Sequence, residues 1–281
     1  MSLIPKKAYK NLEFLNSRAA RPIRILCEYE ETKQRFARYD VKNTIVFFGS
    51  ARSVDPETAQ ARMARAQDLV AANPDDPKAQ QALRKAKTSV RLAPYYDAAR
   101  DLAREVTAWS MNRPHGAEHY HVCSGGGPGM MEAANRGASD VPDGRSIGLG
   151  ISLPFEAGVN KWVSPELAFE FHYFFTRKLW FLYHCEGLVV FPGGFGTMDE
   201  LFETLTLVQT NKIKRKIPII LFGTEYWKNL FNFDLMVEWG TISPDDLDLF
   251  HITDSVEDAM EVLRSGLLHR EKEREEAGLL M

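Results

Sequence analysis

An α/β fold, a mostly parallel sheet covered by helices on both faces, is predicted by three features of this 281-residue chain. Short apolar runs rich in β-branched residues recur along it, stretches of helix-forming residues separate them, and several runs end in glycine-rich turns. Strands buried on both faces read as continuous apolar runs, and parallel neighbours need a crossover between them, usually a helix.

Residues 44–48 are the first such run and end at Gly49-Ser50. Residues 119–123 read as a second strand, leading into Ser124-Gly-Gly-Gly-Pro-Gly129. Pro128 stands where a first helical turn would begin, and residues 130–138 continue in good helix formers. Residues 146–153 give a third strand, and 169–174 a fourth that leads into an aromatic-rich helix over 175–185. Residues 188–191 and 217–222 supply two more, with a helix over 198–209 between them. Later helices are predicted at 226–239 and 256–263. Ligands of such Rossmann-like sheets bind at the carboxyl ends of strands, where Gly49-Ser50 and both glycine loops fall.

Residues 44–267 therefore read as one Rossmann-like domain. Residues 1–43, rich in charge and helix formers, read as a helical extension packed on it. Residues 55–93 are rich in Ala, Gln, Arg and Lys and broken by Asn73-Pro-Asp-Asp-Pro77, the pattern of an inserted helical hairpin with a proline-marked turn. Acidic residues interleave with its cations, so it reads as a solvated helix face. Residues 268–281 form a charged tail, expected as a fraying helix.

Composition narrows the function classes. A net charge of −3 gives no global attraction to nucleic acid or an acidic membrane. No apolar run reaches membrane-spanning length, and residues 1–15 hold no hydrophobic signal core. Cys27, Cys123 and Cys185 form no C-x-x-C pair, and their odd number argues against a disulfide framework. A reducing cytoplasm is the expected compartment.

The most informative segment is Gly187-Leu-Val-Val-Phe-Pro-Gly-Gly-Phe-Gly-Thr-Met-Asp-Glu200. An apolar strand breaks at Pro192, passes three glycines and opens a helical pattern at Thr197. Glycines let the backbone approach a ligand closely, and the first N–H groups of a helix lack internal partners, so this order makes an anion site. The segment has neither the lysine and spacing of a Walker A loop nor a G-x-G-x-x-G fingerprint.

Residues 191–200 match P-G-G-x-G-T-x-x-E, and on this motif the chain resembles the Lonely Guy (LOG) family, phosphoribohydrolases often labelled possible lysine decarboxylases. The resemblance runs from about residue 44 to 263, the hairpin apart. Phe48-Gly-Ser50 looks like the family's first strand end, and Ser124-Gly-Gly-Gly-Pro-Gly-Met-Met-Glu-Ala-Ala-Asn-Arg-Gly137 like its first glycine loop and helix. Thr176-Arg-Lys178 matches the end of its H-E-R-K segment, although Phe175 and Thr176 stand where many members have His-Glu. The family cuts nucleoside 5′-monophosphates, including cytokinin nucleotides, into base and ribose 5-phosphate. The resemblance implies Glu200 and Arg177 as the catalytic pair. It places Gly193, Gly194, Gly196 and Thr197 on the 5′-phosphate, and Gly125, Gly126, Gly127, Gly129 and Ser50 along the nucleotide cleft, with Lys178 as a further phosphate or partner contact. It also implies a homodimer or higher homo-oligomer, and calls for neither cofactor nor metal.

Cleaving an N-glycosidic bond builds positive charge on the ribose and negative charge on the departing base. A carboxylate near the sugar stabilises the first and orients water; a permanently protonated guanidinium stabilises the second. Each assignment has a plainer rival. Thr197 and Glu200 have the spacing of a capping box, and Asp199 suits a helix dipole. Arg177-Lys178 alone would be a solvated pair, and the Ser124 loop allows tight helix–strand packing. His119 and His121 share a strand face but lack a third ligand in pattern. Glu132 and Asn135 suit either cleft or helix packing, and Phe171, Tyr173, Phe174, Phe175 and Trp180 either core or a stacking platform. Two other functions compete: a non-catalytic nucleotide or molybdenum-cofactor binder of similar fold, and a decarboxylase, which needs pyridoxal phosphate on a lysine that nothing here marks.

Overall fold

The computed structural model describes residues 5–114, 117–154 and 158–276. Seven strands form one sheet in the order β4-β3-β2-β1-β5-β6-β7, every neighbouring pair parallel. They are β1 (Asn43–Phe48), β2 (Tyr120–Ser124), β3 (Ser146–Ile151), β4 (Ala168–Phe171), β5 (Cys185–Val190), β6 (Ile219–Phe222) and β7 (His251–Thr253). All residues of β1, β5 and β6 are buried, as apolar runs covered on both faces require. Alternate residues serve two cores. Val46, Phe48, Leu188 and Val190 face one, with Phe36, Trp180 and Leu201; Ile45, Phe47 and Val189 face the other, with Leu102, Met130 and Leu263.

Ten α-helices surround the sheet in the described residues: α1 (Leu12–Leu15), α2 (Arg21–Arg38), α3 (Pro56–Ala72), α4 (Pro77–Met111), α5 (Met130–Ser139), α6 (Phe174–Tyr183), α7 (Phe195–Gln209), α8 (Thr224–Leu230), α9 (Phe233–Glu238) and α10 (Val256–Glu276). From β1 the chain builds outward through β2 and β3 to β4, then returns through α6 to enter β5 on the other flank of β1. The strand order reverses between β1 and β5, and a crevice opens where the following segments diverge. The glycine motifs fall there.

Several boundaries differ from the sequence reading for identifiable reasons. α4 does not stop at residue 93 but runs through Pro94 to Met111. Its first half buries Ala79 and Ala86, while its second half buries Tyr96, Leu102 and Val106 in the core. The hairpin's second arm and the helix that covers the sheet are thus one element. The helix expected over 226–239 breaks at Phe231, and Asn232 caps α9 by accepting from the Leu235 N–H. α10 continues beyond residue 263 because Leu267 and Arg270 are buried, and Arg270 pairs with Glu186. The expected frayed tail is therefore anchored helix as far as Glu276, and residues 277–281 lie outside the described residues. β7 has only three residues and no apolar run that announces it.

Candidate active site

Three strand ends meet at the crevice and are tied by backbone bonds. The Ser50 N–H donates to Pro192 O (2.9 Å), and the Met130 N–H donates to Ser50 O (3.1 Å). The β1 end thus links the two glycine loops. Gly129 is required on two counts: its φ is +73°, and a Cβ would lie 2.3 Å from Ser50 O. Pro128 precedes this residue, so α5 starts at Met130 with Gly129 as its N-cap, later than the proline suggests.

A buried polar network holds the first loop. Ser124 Oγ donates to Asn135 Oδ1 (2.7 Å) and accepts from the Gly126 N–H (3.0 Å). Asn135 is fully buried, which places it in packing rather than in the cleft. The side-chain amide of Asn160 reaches Gly126 O (3.0 Å), Gly127 O (3.1 Å) and Asn135 Oδ1 (2.9 Å). Sequence reasoning missed Asn160, which lies in a loop with no motif around it. Gly125, Gly126, Gly127 and Gly129 are all buried. The Arg177 guanidinium occupies the side-chain position at residue 125, where a Cβ would sit 2.5 Å from its Nη2. Arg177 Nε donates to Leu149 O at 2.6 Å, fixing the guanidinium between β3 and the glycine loop.

The second loop enters α7 two residues earlier than the helical pattern opening at Thr197 suggests. Gly194 is the N-cap and Phe195 the first helical residue, and no side chain caps this end. Thr197 and Glu200 therefore lie inside the helix, so their spacing is not a capping box. Gly193 makes room for Thr197, whose Oγ1 would lie 2.2 Å from a Cβ there. Gly194 and Gly196 face open space, with nothing within 4 Å of a Cβ at either position. Uncovered amides, a glycine surface and a positive helix end are what an anion needs.

Glu200 is only 5% exposed, and its Oε2 has no hydrogen-bond partner among the described residues. Burial raises its pKa to about 7, against the opposing pull of Lys178 and Arg177. Lys178 bridges Asp199 (2.9 Å) and Glu203 (2.5 Å). Burial works to lower its pKa, but the Glu203 and Asp199 carboxylates outweigh this and hold the ammonium charged. Asp199 is exposed on α7 and bonded to that lysine.

Thr176, at the departure from the H-E-R-K pattern, is buried and turned away from the cleft toward Tyr173 O and the Glu28 carboxylate. Phe175 is exposed and lines, with Lys178, Phe195, Met198 and Phe202, an open groove of about 590 Å³ between α6 and α7. Phe171, Tyr173 and Trp180 are buried, Phe171 and Trp180 in the core, while Phe174 is exposed. Glu132 accepts from Tyr96 OH (3.2 Å) at the α4–α5 contact. His119 Nδ1 bonds Ser110 O (3.0 Å), whereas His121 is desolvated with its pKa lowered to about 4. No cluster of three metal-binding side chains occurs among the described residues.

A family model described as possible lysine decarboxylase matches residues 131–263, which carry Arg177 and Glu200. The cytokinin riboside 5′-monophosphate phosphoribohydrolase LOG3 of Arabidopsis thaliana is 30% identical over 156 residues, 53% of this chain and 65% of that protein. A second Arabidopsis thaliana protein, described as the probable cytokinin riboside 5′-monophosphate phosphoribohydrolase LOG6, is 28% identical over 157 residues, 54% of this chain and 71% of that one. The pyrimidine/purine nucleotide 5′-monophosphate nucleosidase of Escherichia coli K12 is 29% identical over 135 residues, 42% of this chain and 28% of that protein. The match thus spans less than two thirds of LOG3 and little more than a quarter of the bacterial nucleosidase. A pyridoxal-phosphate decarboxylase needs a lysine that sheds its proton to form the Schiff base. Lys178, doubly ion-paired and held charged, does not fit that group.

Proposed function

We propose that this chain is a member of the Lonely Guy family and hydrolyses the N-glycosidic bond of a nucleoside 5′-monophosphate to free base and ribose 5-phosphate. The observation that carries this reading is Glu200: a carboxylate buried beside Arg177 and Lys178, with one oxygen unbonded among the described residues and no capping role. Gly193, Gly194, Gly196 and Thr197 at the α7 terminus hold the 5′-phosphate. Ser50 and the loop from Gly125 to Gly129 line the nucleotide, and Lys178 adds positive charge at the rim.

As the C1′–N bond breaks, its electron pair leaves with the base, where the Arg177 guanidinium stabilises it. The ionised Glu200 carboxylate faces the cationic sugar and takes a proton from the water that adds to C1′. Ionising Glu200 in its buried setting costs about 3 kcal/mol relative to a carboxylate with the ordinary value of 4.5. Positive charge developing on the ribose relieves that cost in the transition state, where it accelerates reaction.

AMP or a related purine monophosphate is the proposed substrate, the cytoplasm the proposed compartment, and a homodimer the smallest active unit, with higher assembly open to it. The exposed apolar side chains of α6, Phe174, Phe175, Leu179 and Tyr183, support such an interface. No described helix is long and apolar enough to cross a membrane, and neither membrane nor nucleic acid is a proposed partner. The test is incubation with a panel of monophosphates and their nucleosides, followed by separation of free bases. Monophosphates are expected to release base and the nucleosides to be cut poorly, because the phosphate anchors the sugar; equal turnover of the nucleosides contradicts the reading.

A further inference from the structure

Arg177 sits in the first turn of α6, and the structure shows what fixes that turn. The α6 N-cap, Tyr173, accepts no side-chain capping bond from the helix. An acceptor comes instead from α2, far away in the chain. Glu28 Oε1 accepts from the His172 N–H at 2.7 Å, and its Oε2 accepts from Thr176 Oγ1. The Thr176 hydroxyl, on a residue 4% exposed, also lies 2.8 Å from Tyr173 O, so its one proton is shared between the helix start and the foreign carboxylate. A negative charge at a helix N-terminus also opposes the positive end of its dipole.

α2 is itself firmly seated. Phe36 is 1% exposed and packs edge-on against Trp180 of α6 (5.6 Å) and Phe169 of β4 (5.3 Å). Arg35 Nη1 donates to Ala168 O at 2.6 Å. Glu28 thus reaches α6 from a platform anchored on the sheet. Thr176 and Arg177 are consecutive, and successive residues of a helix point about 100° apart. Fixing Thr176 toward α2 therefore fixes Arg177 toward Leu149 O and the Gly125 loop.

We infer that Glu28 is a positioning residue for the glycosidic cleavage: the N-terminal extension holds the first turn of α6 in the register that presents Arg177 to the departing base. The inference rests on the functional reading above and makes the extension part of the catalytic apparatus rather than an appendage. It predicts a defect in turnover, with little change in substrate affinity, because the phosphate loop lies on a different element. A misplacement of about 1 Å at a reacting group can cost up to about a hundredfold in rate.

The experiment measures kcat and KM for AMP in the full-length chain with Glu28→Ala, Glu28→Gln and Thr176→Val, each also combined with Arg177→Ala. Amide hydrogen exchange over residues 172–177 is followed in parallel. Glu28→Ala is expected to lower kcat at least about tenfold with KM within about twofold. Glutamine, which keeps one acceptor oxygen, should recover part of the loss, and Thr176→Val should reproduce it in milder form. In the Arg177→Ala background Glu28→Ala should change kcat less than about twofold, because the residue it acts through is gone. Unchanged kcat, or an equal loss with and without Arg177, overturns the inference. Should Glu28→Ala fail to fold, Thr176→Val carries the same comparison. If the wild-type chain cleaves no monophosphate, the functional reading fails on its own. Exchange then still decides whether Glu28 fixes the turn: at least about tenfold faster exchange in Glu28→Ala supports it, and unchanged exchange refutes it.

Discussion

At the amino end of the sheet, Glu118, Glu186 and Glu271 are shielded from water beside arginines, whereas at the carboxyl end Glu200 is buried with one oxygen unbonded among the described residues. Glu186 meets Arg270 and Arg274, Glu118 meets Arg274 at 2.6 Å, and Glu271 meets Arg113 at 2.5 Å and accepts from Tyr120 OH. These pairs pin α10 to the starts of β2 and β5 and give each of the three carboxylates a cation. Lys178 and Arg177 pull the pKa of Glu200 down, and burial outweighs them. A buried carboxylate that meets a guanidinium belongs to the fold; one kept at a cost with an open oxygen is available to a ligand.

The largest effect is expected at the amino end. Glu186→Ala leaves Arg270 with an unbalanced charge and Arg274 with Glu118 alone, and a loss of about 3–5 kcal/mol in unfolding free energy is expected. Denaturant titration measures it, and the fraction that remains folded should keep the wild-type kcat. A fall in kcat without a fall in stability would mean that the two ends are not separable in this way.

Next in size is Arg177→Ala, which removes the cation at the base end. Turnover should fall at least about a hundredfold, the low end for losing a transition-state electrostatic partner. Retained nucleotide binding by calorimetry would show that the phosphate loop is intact, and near-normal turnover would remove Arg177 from the mechanism.

The smallest effect is the pH dependence of stability. Glu200 holds its proton to about pH 7 in the folded chain, whereas the unfolded group sheds it near 4.5. The folded state therefore binds more protons between these values, and stability falls as pH rises through that window by up to about 3 kcal/mol. Over the same range kcat/KM should rise, since the ionised form is the active one. Glu200→Gln should abolish this contribution to both slopes; slopes that persist unchanged belong to other groups.

Much of this was legible in the chain, and the misses have physical causes. Fully buried strands announce themselves by apolar runs, so β1, β5 and β6 were found to within a few residues. β7 has three residues and an exposed His251, and offers no such run. Residues 195–196 belong to α7, although Phe195 and Gly196 are poor helix signals, because an open N-terminus tolerates them. That shift of two residues turned an apparent capping box into an interior pair. Asn160 and Glu28 were illegible for another reason: their contacts, to the Gly126 loop and to α6, join segments far apart in the chain. Local pattern carries no record of such pairings.

Glu200→Gln, assayed for turnover and melting on one preparation, separates a catalytic carboxylate from a structural one. Glutamine keeps the shape but cannot carry negative charge beside a cationic sugar, and with Gly194 at the N-cap there is no cap for it to replace. The account predicts a folded, nucleotide-binding protein, at least as stable as wild type above pH 7, whose release of free base from AMP is reduced at least about a hundredfold. A variant that melts normally and releases base at near the original rate would contradict it.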